Sequence, residues 1–130
     1  GLDMATRWTT PAASTPTYKA VQMYRNYDGA KSTFGDVSVR ALTPNSDLVS
    51  AFAAQRSAGG ALTVMVINKQ IGVAQRVALN LANFTAAGTA KVYRLTAANA
   101  IAHLPDKAWA SATLIDTEPA QSITLYVLPQ

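Results

Sequence analysis

Two periods of apolar residues divide this chain. Near its start Tyr18, Val21, Tyr24 and Tyr27 recur every three residues, with Ala20 and Met23 alongside, the spacing of one helical face. Thr15-Pro16 opens the helix, because a threonine hydroxyl caps free amides and proline suits the first turn. Asp28-Gly29 closes it, glycine taking the left-handed conformation common just past helix ends. The helix is thus expected over 16–28. Ahead of it Leu2 to Trp8 reads as a short buried strand, and Thr9 to Pro16, rich in Thr, Pro, Ala and Ser, as a loop. One strand, one loop and one helix make a β/α unit over residues 1–30.

From Lys31 onward the period becomes two. Val37 and Val39 alternate with polar neighbours, and Leu48 to Gln55, with Phe52 among alanines, reads as a strand buried on both faces. Ser57 to Gly60 is a hairpin turn, and Ala61 to Asn68 a strongly apolar strand. After a turn over Lys69 to Gly72, Val73, Val77, Leu79 and Leu81 mark one face and Arg76 and Asn80 the other. Val92 and Tyr93 fall on opposite faces of a strand over Ala90 to Leu95. In the last strand Ile123, Leu125 and Val127 alternate with Thr124 and Tyr126. Thr96 to Ser111 is less regular and reads as a long connection, with Ile101, Leu104 and Trp109 tucked inward. Six or seven short strands joined by turns predict a mainly β fold, an antiparallel β-sandwich of Greek-key type over residues 31–130.

Composition changes this picture little. Of 130 residues 49% are hydrophobic and 14% charged, which fits one folded domain with a real core. No apolar run approaches the roughly 20 residues of a membrane-spanning helix, so no membrane partner is expected. Gly1 to Met4 lacks the basic start and apolar stretch of a leader peptide. The absence of cysteine excludes disulfides and thiolate metal sites. A net charge of +4 comes from eleven Lys and Arg spread thinly, whereas a nucleic-acid footprint needs them clustered. Tyr24-Arg25-Asn26-Tyr27, the nearest candidate, reads as helix packing instead. No nucleic acid is expected.

Catalytic chemistry is equally sparse. Glycosidic hydrolysis normally needs two carboxyl groups flanking the bond. The chain has six aspartates and one glutamate, and Asp116 with Glu118 is the only close pair. Beside Pro119 it reads as a solvated turn at a loop edge. The single histidine, His103, reads as a loop residue; no nucleophile elbow accompanies it, and one histidine makes a poor zinc site. Gly59-Gly60 reads as a turn, not a phosphate cradle. No catalytic residue, metal ligand or cofactor is therefore assigned. Trp8 is the more informative residue. At the C-terminal end of a barrel strand a flat indole face stacks on a sugar ring; the competing reading buries it between two domains. Trp109 reads as a core or interface residue.

Several stretches resemble one family. Met4-Ala5-Thr6-Arg7-Trp8, Thr17-Tyr18-Lys19-Ala20, Met23-Tyr24-Arg25-Asn26-Tyr27-Asp28-Gly29, Phe34-Gly35-Asp36 and Ala61 to Lys69 look like glycoside hydrolase family 44. Ala74 to Leu81, Ala90 to Leu95 and Ser122 to Pro129 have a looser likeness to the sandwiches of several barrel glycosidases. The resemblance implies a bacterial, secreted, retaining endo-β-1,4-glucanase, some members also acting on xyloglucan, xylan or mannan, built as a (β/α)8 barrel joined to a β-sandwich. It implies that residues 2–8 and 16–28 match the last barrel strand and helix, and that both catalytic glutamates lie on earlier strands with no counterpart here. The expected partner is the catalytic (β/α)8 barrel of the same enzyme, and through it β-1,4-glucan. Trp8 carries over as a sugar-stacking residue, and the sandwich as a non-catalytic stabiliser of the barrel. Two other readings stand beside it. One is a carbohydrate-binding module using Tyr93, Trp109 and Tyr126 as free aromatics; the other is an adhesion or assembly sandwich with a pairing edge strand.

Overall fold

A computed structural model describes residues 8–86, 88–109 and 113–130. Among them are one helix, α1 (Pro16–Arg25), and eight strands: β1 (Val37–Val39), β2 (Val49–Gln55), β3 (Leu62–Asn68), β4 (Gln75–Asn80), β5 (Thr89–Leu95), β6 (Ile101–Ala108), β7 (Thr113–Glu118) and β8 (Ser122–Leu128). The expected strand over 2–8 lies outside the described residues except for Trp8, which is in a bend.

The strands form two antiparallel sheets, one ordered β1-β2-β3-β8-β5-β6 and one of β4-β7. β8 inserts between β3 and β5, so the chain's last strand is clamped on both sides, Leu125 facing Met65 and Tyr93. This is the expected mainly β sandwich, with two cores on opposite faces of the large sheet. Leu62, Val64, Val66, Val92, Tyr126 and Leu128 meet Leu114 of the small sheet, and Val77 and Leu79 of β4 pack against them. On the other face Met65, Tyr93, Leu125 and Val127 meet Met23 and Tyr27 from the α1 segment. Val92 and Tyr93 thus serve opposite cores, as alternation requires.

α1 begins as expected. Thr15 is the N-cap, its hydroxyl accepting a hydrogen bond from the Tyr18 amide, with Pro16 next. It ends earlier than 28. Asn26 leaves the helical conformation, its side-chain carbonyl accepts the Lys31 amide at 2.7 Å, and Asp28 accepts those of Ala30 and Ser32. Short polar side chains that bond nearby backbone compete with the helix, which explains the early stop. Tyr27 is buried regardless, its ring 4.6 Å from that of Tyr93. Residues 33–35 then bridge the helix and the β2–β3 hairpin. The Phe34 amide donates to Tyr24 O at 2.8 Å, the Gly35 amide to Thr63 Oγ1 at 3.1 Å, and Arg56 Nη2 to Thr33 O at 2.7 Å.

Two further expectations fail among the strands. β2 is not buried on both faces: Phe52, on the helix side opposite Met65, is 48% exposed because α1 does not reach over it. Nor are the described residues of the expected 96–111 connection mainly loop. Ile101–Ala108 is β6, an edge strand paired with β5. Its register shifts between Val92–Leu104 and Ala90–Lys107, leaving Pro105 and Asp106 in a bulge, where a proline without an amide is tolerated.

Candidate functional site

The richest polar cluster lies between the two sheets. On β7, alternation sends Leu114, Asp116 and Glu118 inward, and on β5 and β8 it brings Arg94, Thr124 and Tyr126 to meet them. The pair expected in a solvated turn is therefore buried: Glu118 has no exposed surface and the Asp116 side chain only 8%. Burial is tolerated because each oxygen has a partner. Arg94 Nη2 donates to Asp116 Oδ2 at 3.0 Å, and Lys107 Nζ of β6 to Asp116 Oδ1 at 2.6 Å. Arg94 Nε donates to Thr124 Oγ1 at 2.8 Å, and the Thr124 hydroxyl donates to Glu118 Oε2. Tyr126 Oη lies 2.7 Å from Asp116 Oδ2 and 2.5 Å from Glu118 Oε1.

The two carboxyls are pushed apart. Burial works upward on Asp116, but hydrogen bonds from Lys107, Tyr126 and the Thr117 amide outweigh it and hold the group below the usual carboxylate range. For Glu118 burial wins over its hydrogen bonds with Thr124 and Tyr126 and the charge of Arg94, and its pKa rises. Burial first, then the Glu118 charge, drives the Tyr126 phenol far above its ordinary value. A raised and a lowered carboxyl side by side is the usual acid and base arrangement. Here access decides otherwise. Of two surface grooves, one of about 490 Å3 is lined by Tyr24, Phe34, Gly35 and Phe52, and one of about 380 Å3 by Lys19, Gln22, Tyr27, Asp28, Tyr93 and His103. Neither is lined by Asp116 or Glu118, and Glu118 itself has no exposed surface. The cluster joins β7 of the small sheet to β5, β6 and β8 of the large one.

The other candidates are dispersed. His103 sits on β6, not in a loop, its ring stacked at 4.7 Å on Tyr93 and its Nε2 3.2 Å from Asp106 Oδ1. Tyr126 is fully buried and Tyr93 nearly so, which removes two of the three aromatics that a carbohydrate-binding platform needed. Trp109 is half-buried against the inter-sheet core. Trp8 is fully exposed, and Tyr18 and Val21 stand out from α1 at 38% and 54%. Among the described residues no group of three His, Cys, Asp or Glu could hold a metal ion, and no helix is long and apolar enough to cross a membrane.

No protein-family model matches the chain, and no curated protein does. Solved structures do. A bifunctional glucanase-xylanase, CelM2 from a metagenome library, is 60% identical over 99% of this chain, with a TM-score of 0.96. A family 44 xyloglucanase from Paenibacillus polymyxa is 28% identical over 86%, with a TM-score of 0.81. The chain corresponds to the C-terminal part of glycoside hydrolase family 44. A further family 44 endoglucanase, from Clostridium acetobutylium ATCC 824, shares the fold at a TM-score of 0.89 and 23% identity. This family 44 part spans about a quarter of each relative: 25%, 22% and 26% of their lengths.

Proposed function

We propose that this chain is the non-catalytic C-terminal β-sandwich of a secreted bacterial endo-β-1,4-glucanase, and that its work is to stabilise a catalytic (β/α)8 barrel. In this reading residues 1–30 are the barrel's last β/α unit and residues 31–130 the sandwich. The observation that carries it is the two-sided character of α1. Its inner side, with Met23 fully buried, is seated on the large sheet, while Val21 and Tyr18 remain open on its outer flank and Phe52 on the sheet beside it. A helix with apolar residues on both sides lies between two bodies.

The energetics suit such a role. Interfaces between domains of one chain typically bury about 600–1,500 Å2. At roughly 25 cal/mol per Å2 even a few hundred Å2 of apolar area gives several kcal/mol before entropy is subtracted. That rivals the net stability of a whole domain. The sealed Asp116–Glu118 pair supports the non-catalytic part of the reading, and the length of the relatives supports a missing partner. Substrate in the intact enzyme is β-1,4-glucan, with Trp8 stacking on a sugar ring at the barrel mouth.

The test is removal of residues 31–130 from the intact enzyme. The expected product is insoluble or inactive barrel. A soluble barrel with full activity on β-glucan refutes the stabilising role.

A further inference from the structure

Three oxygens stand in a row between the sheets: Glu118 Oε1, Tyr126 Oη and Asp116 Oδ2, with separations of 2.5 and 2.7 Å. Both are hydrogen-bond distances, so each gap needs a hydrogen. The phenol has one to give. Among the described residues the neighbours offer no other: the Thr124 hydroxyl, occupied as acceptor by Arg94 Nε, spends its hydrogen on Glu118 Oε2. Two ionised carboxylates would therefore leave one gap as oxygen facing oxygen, with nothing between them.

We infer that Glu118 is held as the neutral acid, its proton donated to Tyr126 Oη while Tyr126 donates to Asp116, so that the two sheets are locked by a proton. The choice between the carboxyls follows from their surroundings. Asp116 receives Lys107 Nζ, Arg94 Nη2 and the Thr117 amide, and stays ionised. Glu118 has no exposed surface, and the nearest guanidinium nitrogen is 3.5 Å away, closer to Asp116 than to it. Charged or titratable groups facing Glu118 are Arg94 from β5, Lys107 from β6 through Asp116, Asp116 itself from β7, and the neutral phenol of Tyr126 from β8. From β3 only the neutral Asn68 amide reaches it, donating to its backbone carbonyl at 3.2 Å; on β4 its partner is the neutral Gln75.

A pH dependence follows. In the unfolded chain Glu118 loses its proton near 4.5, and in the folded chain only at higher pH. Across that window the unfolded state binds fewer protons, so stability falls as pH rises through it and is fully present below 4.5. Because Glu118 is the only glutamate in the chain, one resonance reports it.

The experiment is a carbon-13 NMR titration of the whole chain labelled at glutamate side-chain carboxyls, with glutamine carbons as a non-titrating background. The expected result is a single acid-like resonance that persists through pH 4.5 and moves only above it. A midpoint at or below 4.5 overturns the proposal. A second arm uses Glu118→Gln, whose amide can donate to Tyr126 as the neutral acid does. Its urea midpoint at pH 7 is expected to equal or exceed that of the parent, and to lose the decline above pH 4.5. A variant less stable than the parent at pH 7 but equal to it at pH 4 shows that an ionised Glu118 was lost, and overturns the proposal. If the variant does not fold, the titration decides alone.

Discussion

At the residue scale, two positions carry more than their size. Gly35 lies so close to the hairpin that a Cβ there would stand 2.7 Å from Ala54 C and Gln55 O, backbone atoms that cannot swing aside. Gly35→Ala is expected to cost about 1–3 kcal/mol, the usual range for overpacking, read as a lower urea midpoint. Asp116 works through charge. Its carboxyl is held below the ordinary 3.8, so the stability it contributes is present above that value and lost as pH falls through the lowered one. Asp116→Asn leaves Arg94 and Lys107 short of a carboxylate. It should cost roughly 1–3 kcal/mol at pH 7 and flatten the acid limb of a midpoint-against-pH curve. Neither role was legible in the sequence, although both residues were singled out there. A glycine beside Asp36 looks like any turn, and a carboxylate is assigned to water unless its partners are known. Arg94 lies 22 residues and Tyr126 ten residues from Asp116 along the chain, on different strands, and only the packing of β7 over β5 and β8 joins them. One trace was readable: Leu114, Asp116 and Glu118 share a parity, as do Val92 and Arg94, and Thr124 and Tyr126.

At the element scale, legibility tracks how far apolar alternation runs undisturbed. β3, β5 and β8 were readable within a residue or so, and β4 within two, because each places its branched and aromatic residues on predictable faces. β6 was not. Its bulge turns the burial pattern into one exposed pair after each half-buried residue, a period near three, and Pro105 argues against a strand unless that strand is an edge. α1 was readable at its start, where Thr15-Pro16 is a local signal, and misread at its end, where Asn26 and Asp28 capture amides that the pattern could not assign. The helix should depend on its sheet. Met23 is fully buried among Met65, Tyr93 and Leu125, and Met23→Ala is expected to cost about 2–5 kcal/mol in chemical unfolding. A loss under 1 kcal/mol would mean that α1 is not seated as described.

At the scale of the whole molecule, the outer flank of α1 separates a free surface from a covered one. Val21 is 54% exposed and Phe52 48%, so a lysine at either should change the stability of this chain by no more than about 0.5 kcal/mol. In an intact enzyme whose barrel rests on that flank, the same lysine must be buried without a partner or must pry the contact open. An unpaired buried charge is among the costliest single changes, several kcal/mol after relaxation. Val21→Lys and Phe52→Lys are therefore expected to leave the unfolding midpoint of the 130-residue chain unmoved while lowering that of the intact enzyme. Both should be measured in the same buffer by thermal unfolding. Equal effects in the two proteins would place this flank in solvent in both. The proposed barrel would then have to meet the sandwich elsewhere, and the two-sided helix would lose its standing as the joint between them.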